Sequence, residues 1–219
     1  MVDLIHSAAL APAVGTVTET IVTETLMGWS PHPLAKVIEF TITGGGGGGG
    51  GADGQGSGTA AAGGGGGSAA TVIHLTSTID SLYDLAVGLG GTGGSGSGGS
   101  GNDGGDSMVT SATLTLVAGR GNGAQGMTGW GGARTSAGGN GGLATGGHRN
   151  YRGSDGASGR VVDGLFSSFG DSGASYWEGR FLLRRPNWCC ALRKGQDGYG
   201  KKPGAEKNRD GIRVSRHPI

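Results

Sequence analysis

The sequence predicts a mainly β and irregular fold: short β-strands framing a glycine-rich body of polyproline-II-like Gly helices, with little or no α-helix. Three observations predict it. Gly accounts for 54 of 219 residues, and most of these lie between 44 and 173. Hydrophobic content is 34% and aromatics are 5%, so a side-chain core of conventional size cannot form. The segments that interrupt the Gly tracts alternate β-branched and polar residues, which is the period of a strand. By default such a composition reads as low complexity, because Gly loses more conformational freedom on ordering than any other residue.

The first zone is rich in Thr, Val and Ile. "GTVTETIVTET" alternates as a strand does, and "GWSPHP" reads as a turn punctuated by Gly and two prolines. In "KVIEFTIT", Ile38, Phe40 and Ile42 fall on one face, and Val37, Glu39 and Thr41 on the other. This strand runs directly into the unbroken glycines 44–51. Three islands then interrupt the Gly-rich zone, at 71–88, 106–119 and 159–170. The first two read as strands or a strand plus turn, with Tyr83, Leu85 and Val87 alternating. The last zone, from 178, turns basic, and "RFLLRRPNWCCALRK" permits a short amphipathic helix interrupted at Pro186. The compositional boundaries are 1–27, an N-terminal attachment or strand segment; 28–177, the glycine-rich domain; and 178–219, a basic tail read as solvated or docking.

Gly every third residue would signal collagen, but here runs of uneven length alternate. Extended Gly chains can still adopt the polyproline-II helix, with three residues per turn and no internal hydrogen bonds. Without Cβ atoms such helices can pack side by side and pair their N–H and C=O groups with neighbours. The competing reading is a set of flexible linkers between small β elements.

The sequence gives no catalytic constellation, and a non-enzymatic protein without cofactor or metal is expected. GxGxxG-like matches lack the following helix and the acidic partner of a dinucleotide site. "GYGKKPG" lacks the spacing of a phosphate loop, and no G-x-S-x-G elbow occurs in register. His6, His32, His74, His148 and His217 are scattered, and His74 reads as structural or surface. Asp80 and Asp84 lie in a turn-like region with no cleft implied. Asp103 and Asp106 suit turn capping, with calcium binding as the sharper option. Cys189 and Cys190 are adjacent, with neither disulfide nor metal-ligand spacing. The net charge of +1 points to neither nucleic acid nor membrane insertion. "MVDLIHSAALAPAVG" has no basic region before its apolar residues, so it makes a poor signal peptide, and synthesis in a bacterial cytoplasm is expected.

The order of these pieces resembles the glycine-rich domain of bacteriophage tail-fibre and tail-tip proteins. "GWSPHPLAKVIEFTITGGGGGGGG" is similar to its entry, and "GTAAAGGGGG" to its second run. "LYDLAVGLGGTGG" looks like its Tyr-x-Val-x-Val-Gly-x-Gly-Gly signature, with Leu85 at a Val position. "GNDGGDSMV", "LTLVAGRGNG" and "DSGASYW" resemble later steps. Beyond Trp177 the chain departs from that pattern and returns only partly, at "GQDGYG" and "RDGIRVSRHPI". The Arg, Pro, Cys and Trp of 178–194 fit either a displaced reading frame of Gly/Ala codons or a genuine segment of the chain. The resemblance implies a virion structural protein of the tail, oligomeric (a trimer is the guess), binding other tail proteins and copies of itself. It also implies contact with a host surface receptor or glycan. Trp130, Tyr151, Tyr176 and Trp177, which interrupt Gly-rich tracts, are the candidate receptor-binding residues; packing between Gly helices is the competing role. The other classes kept open are an extracellular glycine-rich structural or ice-binding protein and a head-fibre or decoration protein.

Overall fold

The computed structural model describes residues 17–53, 58–163, 166–173 and 211–217. Among them there is no α-helix; the fold is mainly β. Two five-stranded antiparallel sheets face each other. The first has the order β1 (Thr18–Val22), β15 (Gly211–His217), β3 (Val37–Thr43), β5 (Thr71–Thr76) and β12 (Arg149–Tyr151). The second has the order β11 (Ala144–Thr145), β8 (Thr115–Ala118), β7 (Ser107–Thr110), β6 (Tyr83–Ala86) and β2 (Leu26–Trp29).

The alternation of β3 buries the face that it predicts: Ile38, Phe40 and Ile42 are inaccessible to solvent. They pack with Val22, Val72, Tyr83, Leu85, Val109 and Leu116 between the sheets. Phe40 and Tyr83 rings lie 5.1 Å apart, and Trp29 closes on both, at 6.3 and 5.8 Å. The buried Tyr83 hydroxyl accepts the Asp80 N–H at 2.9 Å, so its polar end is satisfied. Each such side chain contributes about 1.5–3 kcal/mol on burial, which lets a sandwich this small hold.

Below the sandwich the chain crosses back and forth as extended runs: 44–51, 61–70, 88–95, 99–106, 119–126, 137–143, 152–158 and 169–173. Their hydrogen bonds repeat every third residue. Gly44, Gly47 and Gly50 donate to Ala70, Gly67 and Gly64 at 3.2, 2.8 and 2.9 Å. Gly45, Gly48 and Gly51 donate to Gly105, Asn102 and Gly99, each at 2.8 Å. The same three carbonyls, of Gly45, Gly48 and Gly51, accept from Gly121, Ala124 and Met127. Runs 44–51 and 61–70 are thus enclosed by neighbours on several sides. A period of three, with every bond made between runs, is that of packed polyproline-II helices. It pairs buried backbone groups that would otherwise be orphaned.

Gly is required here by proximity. A Cβ on Gly47 would fall on the carbonyl of Asn122, and one on Gly66 on the carbonyl of Gly47. Run 61–70 reads AAGGGGGSAA, and its alanines sit only at the two ends, buried against the caps.

The far end of the body is closed by smaller elements. β4 (Ala52–Asp53) pairs in parallel with β9 (Met127–Thr128), and β10 (Arg134–Ser136), β13 (Gly159–Asp163) and β14 (Phe166–Ser168) form a three-stranded sheet. Ala61, Ala62, Met127 and Val161 make a second small core there. The lattice is therefore capped by side chains at both ends.

Three features differ from the sequence reading. The turn lies at 32–35, where Ala35 donates to His32 at 2.8 Å, and Trp29 belongs to β2. Gly28, at φ +68°, carries an irregularity in β2 and donates to Asp84 at 2.8 Å. The tail read from 178 onward as solvated or docking includes 211–217, which the sequence did not mark as a strand. These residues form β15, paired with β1 on one side and β3 on the other. Strands from all three compositional zones thus share one sheet. The possible helix near Pro186, the cysteines and the 178–194 segment lie outside the described residues.

Candidate interaction surfaces

Trp130 stands at the smaller cap. Its backbone is bridged to Ala60, donating at 3.0 Å and accepting at 3.2 Å. This fixes the residue while leaving its side chain 52% exposed. The Arg134 guanidinium lies 5.3 Å from the ring centroid, a cation–π contact worth about 0.5–1 kcal/mol at an exposed site. Tyr151 lies at the opposite end of the body, in β12 opposite Thr71, and is half-buried. Tyr176 and Trp177 lie outside the described residues. Trp130 and Tyr151 therefore do not form one cluster.

The acidic residues hold the backbone. Asp103 accepts the Gly123 N–H and Asp106 the Arg120 N–H, each at 2.9 Å. Both carboxylates also lie near the Arg120 guanidinium, at 3.6 and 3.8 Å. They cap, but across runs instead of within their own turn. Asp80 accepts from Ser111 and Thr113, and these hydrogen bonds hold its carboxyl below the ordinary range. Among the described residues no group of three or more His, Cys, Asp or Glu is placed to hold a metal ion.

Two histidines that looked unrelated meet. His74 and His148 stack with centroids 4.3 Å apart and planes 8° from parallel. His148 Nδ1 accepts the Leu75 N–H at 3.2 Å. Burial, and then the charge of His148, lower the pKa of His74. Only the β5–β12 pairing brings them together, and no local sequence signal marks it.

A concavity lies on the flank. A groove of about 710 Å³ runs from the outer face of the second sheet onto the Gly body. Arg120, Asn122, Asn140, Leu143, Thr145 and Arg152 line it. The Asn122 N–H donates to Asn140 at 2.8 Å, which sets these two exposed residues side by side on antiparallel runs. Asp155 tethers Arg152 at 2.9 Å and accepts the Gly141 N–H at 2.7 Å. That N–H, and then Arg152, hold the Asp155 carboxyl below its usual range. The available sequence signal was the charged and amide residues scattered through the Gly tracts.

No helix among the described residues is long and apolar enough to cross a membrane. No protein-family model matches the chain, and no curated protein matches it significantly.

Proposed function

We propose that this chain is a non-enzymatic structural and adhesion component of a bacteriophage virion, located in the tail fibre or tail tip. The observation that carries the reading is the backbone lattice capped at both ends. It is a stiff spacer that holds Trp130 at one end and a β-sandwich at the other. The order of motifs that resembles glycine-rich tail domains supports the same reading. In it, the chain joins other tail proteins and copies of itself, and Trp130 and the flank of the body face the host surface. The virion tail is the proposed location, and no chemistry is performed. Immunogold labelling of particles from the phage that encodes the chain tests this. Gold at the tail is the expected result; gold on the head, or particles without the chain, would overturn it.

A further inference from the structure

We propose that the flank groove between runs 119–126 and 152–158 is a binding site for a neutral oligosaccharide. The proposal deepens the adhesion reading and rests on it, since the ligand would be a glycan of the surface to which the particle attaches.

The chemistry of the lining selects the ligand. Asn122 and Asn140 are exposed, and both line the groove. Each primary amide offers two donors and one acceptor oxygen. A sugar hydroxyl both donates and accepts, so vicinal hydroxyls match two amides held side by side. Arg120 lies between Asp103 and Asp106, and Arg152 is held by Asp155. The guanidiniums are already matched by carboxylates, so the groove lacks the positive field that draws a polyanion.

Leu143 supplies the apolar contact. It lies three residues from Asn140, one polyproline-II turn or about 9 Å along the run, and is 65% exposed. An apolar side chain so open suits the C–H face of a sugar ring next to hydroxyls held by the amides. The groove volume of about 710 Å³ lies within the roughly 300–1,000 Å³ usual for small-ligand sites. The floor is a hydrogen-bonded lattice, so binding orders little that is not already ordered. Asn122 and Asn140 are fixed relative to each other by a backbone bond, not by a loop.

The test is an array of neutral and acidic bacterial oligosaccharides probed with the full chain, with N122A and N140A, and with the double variant. Thermal melting runs alongside. Both asparagines are exposed, so melting should stay unchanged. The expected result is retention on neutral oligosaccharides, weakened at least tenfold in each single variant and abolished in the double variant. Absence of retention on any neutral oligosaccharide would overturn the proposal. So would retention confined to acidic ones, or retention that survives the double variant. The particle labelling above separates the two claims. Tail labelling without glycan binding keeps the adhesion reading and removes the groove. Asparagine-dependent glycan binding without tail labelling keeps the groove and removes the adhesion reading.

Discussion

Gly47 donates its N–H to the carbonyl of Gly67 at 2.8 Å, and the Gly67 N–H passes on to Asn122 at 3.0 Å. Asn122 is also the residue whose carbonyl fills the space where a Gly47 side chain would begin. This close approach is thus supported by hydrogen bonds through the run beside it.

Substitution G47A is therefore expected to destabilise the chain by about 3 kcal/mol, the upper part of the range for overpacking. A Cβ on Gly96, in a turn, meets nothing within 4 Å, so G96A should stay within about 0.5 kcal/mol of wild type. Denaturant melts of the two variants check this, and equal destabilisation would refute the lattice.

Acid should weaken the fold in two steps. His74 is harder to protonate in the folded chain than in the unfolded one. Stability should therefore start to fall as pH drops below about 6.5, and H74Q should flatten that step. Asp80 and Asp155 are easier to ionise when folded. Their stabilisation is complete above about pH 4 and is lost as pH falls through their lowered folded values. D80N should reduce this second step and leave the first unchanged. Melting temperatures between pH 2 and 8 report both.

Removal of 211–219 should affect the opposite end of the chain. β15 is the only described partner of β1, and β1 carries the core residue Val22. Hydrogen exchange at 18–22 is expected to become fast in the truncated chain, while amides of 119–126 stay protected. Continued protection of 18–22 would contradict the pairing.

W130A and R134A should leave the melting temperature within about 1 °C of wild type, since surface changes cost little. On the adhesion reading, W130A should lower adsorption of the particle to its host several-fold. Unchanged adsorption would remove Trp130 from the contact.

The sequence made the side-chain part of the fold legible, and left the backbone part largely hidden. Ile38, Phe40 and Ile42 advertise a strand with one buried face, and the structure buries that face. The three-residue period of a Gly helix was legible as a possibility. Which run pairs with which was not, because a run of identical residues marks neither face nor register. Strands of two or three residues, such as β4 and β11, leave no periodicity to read. The interior position of β15 was hidden by its charge, since Arg213 and Arg216 suggest solvent. The groove was illegible for a related reason: Asn122 and Asn140 meet only through the lattice. Of the four aromatics singled out, only Trp130 presents a largely open ring among the described residues; Tyr151 is half-buried at the far end.

The three-residue repeat also limits how the chain can change length. An inserted or deleted residue within run 44–51 would turn everything after it by a third of a revolution, and every N–H beyond that point would face the wrong neighbour. Change by three residues restores the phase, but adds a rung that all adjoining runs must match. Related chains should therefore share crossing lengths or differ by whole rungs in several runs together, with irregular length change confined to connectors such as 96–98.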